Sequence, residues 1–203
     1  MMTAVKQLRK YIQRIPYGKP FSNVALRQYV STDNARQILS RMVKSGEIVR
    51  VARGIFVRPK KVAYLGKTLP SAEKITKMIA RSSNETIAIH GAEAARRLRL
   101  TTQTPMQPTF YTTGNTRHIK LSNLTITLKH ISPKKLVAPG TIAGTVISAL
   151  WYLGKDNVTP ATINTIRKQL TIEQFNTVLD TIDHMPAWMA NVIYHYQREK
   201  NHE

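Results

Sequence analysis

Five polar side chains recur along one face of a predicted helix in the first quarter of the chain. They are Arg36, Gln37, Ser40, Arg41 and Lys44. Their spacing places all five on one stripe of a helix. Arg36 and Gln37, near the helix start, have the chemistry to pair bidentately with guanine and adenine edges, whereas the other three suit phosphates. The stripe therefore predicts a surface that reads duplex DNA.

Two further groups flank this stripe. Thr32 and Asn34 precede it, where a helix N-terminus offers hydroxyl, amide and backbone N–H groups to a phosphate. Arg53 follows it beside Gly54, at the tip of a predicted hairpin from which an arginine can enter a narrow minor groove. Arg50 and Arg58 flank that hairpin and complete the predicted DNA-binding set.

Three helices and the hairpin are predicted to position these side chains. Apolar residues at helical spacing indicate helices over residues 5–15 and 22–30 and a third helix that begins after residue 34. The third helix has a continuous apolar stripe of Ala35, Ile38, Leu39, Met42 and Val43. Strand-like runs at 48–51 and 55–57 form the hairpin. This order is that of a winged helix-turn-helix, whose third helix enters the major groove.

Positive charge is concentrated in the part of the chain that contains these motifs. The 203 residues carry a formal net charge of +20. Residues 1–61 account for +12, residues 62–135 for +9, and residues 136–203 for −1. A strongly basic surface attracts polyanions, so the first two thirds of the chain are predicted to face nucleic acid.

The remaining sequence completes an α+β fold. We predict a winged helix-turn-helix domain over residues 1–61 and a linker over 58–70. A C-terminal domain over 62–203 is predicted to contain a mixed α/β module at 71–135 and helices at 141–200. A further basic surface is predicted on the mixed module, at Arg96, Arg97, Arg99, Lys120 and Lys129, where it either extends the DNA footprint or serves a separate activity of this domain.

Enzyme chemistry is not expected. The chain has no cysteine and only 11 carboxylates, and its basic regions lack the paired acidic residues of a metal-dependent nuclease. His90 is interpreted as a local cap at a strand-to-helix junction, so no catalytic residue, metal or cofactor is predicted. Because no apolar stretch approaches a membrane span of roughly 18 residues, and no secretory signal is apparent, we expect a cytoplasmic protein without a membrane partner.

Several runs also resemble AbiEi-type antitoxins of type IV toxin–antitoxin and abortive infection systems. The resemblance covers about residues 5–150 and is carried by LSRMVKSGEI (39–48), VARGIFV (51–57), IHGAEAARRL (89–98), LTTQ (100–103) and PTFYTTG (108–114). It implies a transcriptional autorepressor that binds repeats in its own promoter. It also implies a C-terminal part that counteracts a nucleotidyltransferase-like toxin, although the short helical tail departs from the family.

Two alternatives stay open from the residues. One is an RNA-binding module that acts on structured RNA, because net charge alone does not separate the two nucleic acids. The other is a regulator of a mobile element without a toxin partner. The operator sequence and the oligomeric state are likewise open.

Overall fold

The computed structural model describes residues 4–62, 66–68, 70–121 and 124–201, which form an α+β fold. Two compact units divide the chain. The first contains residues 1–85 and 119–125, and the second contains residues 86–118 and 126–203. No helix among the described residues is long and apolar enough to span a membrane.

The first unit begins with the predicted winged helix-turn-helix order. Its elements are α1 (Ala4–Arg14), β1 (Pro20–Ser22), a 3-10 helix (Asn23–Leu26), α2 (Thr32–Lys44), β2 (Val49–Ala52) and β3 (Ile55–Val57). Antiparallel pairing orders the three strands β1-β3-β2. The side chains of Leu8, Ile12, Leu26, Leu39 and Ile48 are almost fully buried in one core beneath them. The α+β class and its winged helix-turn-helix are confirmed.

The segment before α2 differs from its prediction. Residues 22–30 were expected to form an α-helix, but only a 3-10 turn forms, capped by the Ser22 side chain, which accepts from the Val24 N–H. Strand pairing takes the preceding residues into β1, where Phe21 lies opposite Phe56. The Asn23 N–H then donates to the Gly54 carbonyl oxygen at 2.9 Å. These tertiary bonds restrict the helical segment to one short turn.

The first unit continues beyond residue 61, where the sequence placed a domain boundary. The predicted linker contains two short strands, β4 (Lys60–Val62) and β5 (Gly66–Thr68), which pair antiparallel. Next comes α3 (Ala72–Ser83), whose N-terminus is capped by the Ser71 side chain. This helix contacts β1, so it belongs to the same compact unit as the winged helix.

The second unit has the predicted mixed module followed by helices. Its α/β part contains β6 (Ile87–Ile89), α4 (Gly91–Arg97), β7 (Thr109–Thr112) and most of β9 (Leu124–His130), whereas β8 (Arg117–Leu121) lies largely in the first unit. The sheet order is β6-β7-β9-β8, with β6 and β7 antiparallel and β7 and β9 parallel. Ile126 and Leu128 in the middle of β9 are fully buried, whereas Leu124 and His130 at its ends are exposed.

Four helices end the second unit: α5 (Ile142–Leu153), α6 (Pro160–Gln169), α7 (Ile172–Leu179) and α8 (Ala187–Asn201). A capping box begins α7, since Thr171 and Gln174 exchange side chain-to-backbone hydrogen bonds of 3.0 and 3.2 Å. Ala94, Leu150 and Ile166 are fully buried in the core of this unit, with 0% exposure. Helices α4 and α5 pack very closely within it.

The close approach of α4 and α5 gives a stability prediction. A Cβ on Gly91 would overlap the Tyr152 side chain and lie 2.6 Å from the Ser148 carbonyl oxygen. Gly91→Ala should therefore lower the free energy of unfolding by about 1–3 kcal/mol in urea denaturation, because packed helices cannot separate without losing contacts. An exposed position of α6 shows the ordinary preference of a helix for alanine over glycine. There Ala161→Gly should lower the free energy of unfolding by up to about 1 kcal/mol. A Gly91→Ala protein as stable as the wild type would contradict the packing.

Candidate nucleic-acid interface

Helix α2 turns its predicted polar stripe outward. Burial of Ala35, Ile38, Leu39 and Met42 forces this orientation. On the opposite side, all of the predicted side chains are exposed, namely Arg36, Gln37, Ser40, Arg41 and Lys44. The helix therefore presents an uninterrupted basic and amide surface, as the sequence predicted.

The N-terminus of α2 is capped by a residue that the sequence analysis did not select. The Ser31 side chain accepts from the Asn34 backbone N–H at 3.5 Å. Thr32 and Asn34 are exposed in the first turn, so their side chains can reach a ligand. The backbone N–H of Asn34, however, already donates to Ser31. A Ser-Thr-Asp-Asn run offers several capping residues, and only the backbone geometry selects among them.

One ion pair touches the stripe. Arg36 Nη1 lies 3.6 Å from the Asp33 carboxylate, and the two side chains are 73% and 86% exposed. A pair so exposed to water contributes no more than about 1 kcal/mol, so Arg36 can exchange this partner for a phosphate or a base at little cost.

The β2–β3 hairpin forms the wing. Arg53 is exposed in its turn, followed by Gly54 with φ +74°. Glycine is favoured there because φ is in the left-handed region, which residues with a Cβ rarely adopt. The register of β2 shifts between Arg50 and Ala52, a bulge of the kind that re-aims side chains near functional sites.

A groove of about 570 Å³ separates α2 from the wing. Three arginines line it: Arg36 from α2 and Arg50 and Arg53 from the wing. Its other polar lining residues are Ser22, Asn23, Ser40, Ser82 and Ser83, and no carboxylate occurs among the described residues that line it. Guanidinium groups are hydrogen-bond donors whose charge and planar geometry suit phosphate oxygens.

Part of this groove was missed from the sequence. Asn23 was assigned to a helix, and Ser82 and Ser83 come from the last turn of α3, roughly 30 residues after the wing. No spacing or motif connects α3 with α2. Packing of α3 against β1 is what brings its end to the groove.

Arg58, in contrast, is held inside the first unit. Its guanidinium donates to the Ile15 carbonyl oxygen at 2.7 Å and to the Gln13 carbonyl oxygen, and it lies 4.0 Å above the Tyr17 ring. These contacts stabilise the end of α1 and the turn after it, since they satisfy carbonyl groups that the helix leaves open. Arg58 lines a separate cavity that also contains Glu47.

The predicted basic surface of the mixed module is divided by the structure. Arg96 and Arg97 both donate to Glu93, at 2.7, 2.8 and 2.9 Å. The hydrogen bonds from Arg96, above all, hold the pKa of Glu93 below its ordinary value. Arg99 is exposed just after α4 with φ +57°, and Lys129 is exposed on β9. Lys120 is exposed too but belongs to the first unit, so the structure does not place all five in one unit.

His90 has the local capping role that the sequence indicated. Its Nδ1 accepts from the Ala92 N–H at 3.3 Å at the start of α4. Burial, with a smaller effect of the Lys129 charge, lowers the pKa of His90 and favours the neutral ring that this bond requires. The ring packs against Tyr111, with a centroid distance of 4.7 Å.

The fold and this groove together define a winged helix-turn-helix protein with a second, mixed α/β and helical unit. The model of one protein family, described as a family of unknown function (DUF6088), matches residues 7–178. The chain therefore belongs to that family. No curated protein matches the chain.

Two arginines give a contrast that tests these placements. Arg58→Ala should lower the free energy of unfolding by about 1.5–3 kcal/mol, because hydrogen bonds from a charged donor to carbonyl groups are lost. Arg53→Ala, at an exposed turn, should change that free energy by less than about 0.5 kcal/mol. Duplex DNA affinity, measured by fluorescence anisotropy, should show the reverse order. If both variants lose the same affinity for DNA, Arg58 contributes to the interface as Arg53 does.

Proposed function

We propose that this protein binds duplex DNA in a sequence-specific manner and represses transcription. The observation that carries the proposal is the groove in which Arg36, Arg50 and Arg53 meet between α2 and the wing. A DNA backbone that follows this groove would contact guanidinium groups on both sides. The helix beside it would then lie along the major groove.

The geometry of α2 favours duplex DNA over double-stranded RNA. Its exposed N-terminal half carries Arg36 and Gln37, the residue types that read guanine and adenine edges. The major groove of B-DNA is about 12 Å wide and admits a helix. The major groove of A-form RNA is too narrow for such readout, so RNA would use these residues poorly.

The distribution of charge also supports the first unit as the part that binds DNA. The first unit has 19 Lys and Arg residues against 4 Asp and Glu residues, whereas the second has 12 against 7. Such an excess steers a polyanion toward the first unit and accelerates its association.

Variants of α2 test the proposal in an electrophoretic shift assay on the DNA upstream of the gene. Arg36→Ala or Gln37→Ala should cost about 1–3 kcal/mol of specific binding and relax the preference for individual bases. Lys44→Ala should weaken all sequences alike and reduce the slope of log affinity against log salt by about 1.

Lys10→Ala, on the exposed face of α1, is the matched control and should leave both quantities unchanged. If Arg36→Ala and Gln37→Ala leave the ratio of specific to random binding at its wild-type value, α2 is not the reading helix. Stronger binding of a structured RNA than of any duplex would instead support the RNA-binding alternative.

We also propose, from the resemblance to AbiEi-type antitoxins, that the repressor acts on its own promoter. In this proposal it counteracts a nucleotidyltransferase-like toxin in the cytoplasm without catalysing a reaction itself. The separation into two compact units supports such a division, since the less basic second unit suits a protein contact better than DNA. This unit has the exposed aromatic side chains Tyr152 and Tyr194.

Growth rescue tests the division of roles in the full-length chain. Coexpressed with a neighbouring nucleotidyltransferase gene, the Arg36→Ala/Arg53→Ala double variant should lose DNA binding and still restore growth. The reason is that both substituted side chains lie in the first unit and are exposed there. Loss of rescue by this folded variant would show that neutralisation needs DNA binding, and the proposed division would be wrong.

A further inference from the structure

A third concave site lies in the first unit, beside α1. Its volume is about 390 Å³, within the range of small-molecule sites. The walls are largely apolar and come from α1, the turn after it, β1, the 3-10 helix after β1, and α3. They include Tyr11, Ile15, Pro20, Phe21, Ala25 and Met78.

Two cations stand among these apolar side chains. Arg14 and Lys19 line the pocket and are exposed, and none of its described lining residues is acidic. An apolar surface flanked by cations is complementary to a ligand with an apolar body and one negative group. A cationic ligand would be repelled by the two cations, and a strongly hydrated ligand would lose its water on the apolar walls without compensation.

One row of the sheet connects this pocket with the groove beside α2. Phe21 lines the pocket and lies opposite Phe56, with 6.0 Å between ring centroids. Phe56 lies opposite Arg50, and both line the groove. In addition, Ser22 lines both sites. A ligand that displaces Phe21 must therefore move side chains that line the groove.

A backbone bond provides a second connection. Asn23, directly after β1, donates its N–H to the Gly54 carbonyl oxygen in the wing turn at 2.9 Å. Movement of β1 consequently changes the position of the wing tip that presents Arg53.

We propose that the pocket binds a small amphipathic anion, such as an aliphatic or aromatic carboxylate, and that its occupation weakens DNA binding through the row Phe21–Phe56–Arg50. The effect on DNA binding rests on the proposed function, whereas the binding of the anion does not. The protein would then be a repressor released by an effector of this chemical class.

Direct binding is measured without DNA, with 1-anilinonaphthalene-8-sulfonate as the fluorescent probe and the full-length protein. Octanoate should displace the probe, whereas octylamine, with the same apolar length and the opposite charge, should not. Equal displacement by both compounds would overturn the anion site.

Variants place the probe in this pocket. Arg14→Gln/Lys19→Gln should raise the Kd of the probe at least about fivefold, since each exposed charge contributes modestly. Lys10→Gln, an exposed cation of α1 outside the pocket, is the matched control and should not change it. Met78→Glu should abolish binding, whereas the near-isosteric Met78→Gln should retain most of it. Wild-type affinity in the Arg14→Gln/Lys19→Gln and Met78→Glu proteins, with thermal unfolding confirming their fold, would overturn the proposal.

Coupling is measured with duplex DNA from the upstream region. Saturating octanoate should raise the Kd for DNA at least about fivefold over acetate at the same concentration, and saturating DNA should raise the probe Kd by the same factor. Phe56→Leu should bind the probe normally and lose this coupling. An unchanged or tightened DNA Kd would overturn the connection. If the wild-type protein binds no duplex at all, the proposed function fails, while the probe measurements still decide the pocket.

Discussion

Burial of one side of α2 is the constraint on which the candidate interface depends. Ile38, Leu39 and Met42 pack into the core with Leu8 and Ile12 of α1. Each such side chain stabilises the fold by about 1.5–3 kcal/mol when it leaves water, far more than any exposed charge contributes. The helix therefore has one stable rotation about its axis. The polar stripe on the other side faces solvent as a consequence.

Pairing of β1 with β3 is a second constraint on the candidate interface. It places Phe21 opposite Phe56 and leads the chain directly into Asn23, which bonds to the wing turn. The wing is thereby attached to the body of the first unit through its own backbone. Arg50 and Arg53 can face Arg36 across a groove only because this attachment determines where the hairpin lies.

The distribution of ion pairs distinguishes structural cations from available ones. Glu47 accepts from Arg9, which lowers the pKa of Glu47, and connects α1 to the turn after α2. Glu93 binds Arg96 and Arg97 on α4. In the groove, by contrast, no described lining residue is acidic, and the Asp33 partner of Arg36 is highly exposed. Positive charge is thus paired within α4 and between α1 and the turn after α2, whereas the described residues that line the groove add no negative charge to it.

Local patterns in the sequence were sufficient for most of the elements and for the face of α2. Apolar spacing predicts a buried stripe and therefore an exposed one, and caps such as Ser71 and Thr171 depend on only a few neighbouring residues. Gly54 at the hairpin tip was recognisable for the same reason.

Long-range packing decided the rest. Strand β1, the single 3-10 turn after it and the participation of Ser82 and Ser83 all follow from contacts between segments far apart in the chain. Arg58 and Arg53 are both arginines at the hairpin, and the sequence does not distinguish them. In the structure, the Arg58 guanidinium nevertheless donates to carbonyl groups at the end of α1. A charged residue looks the same in a sequence whether its partner is a neighbouring backbone or solvent, so tertiary structure alone assigns its place.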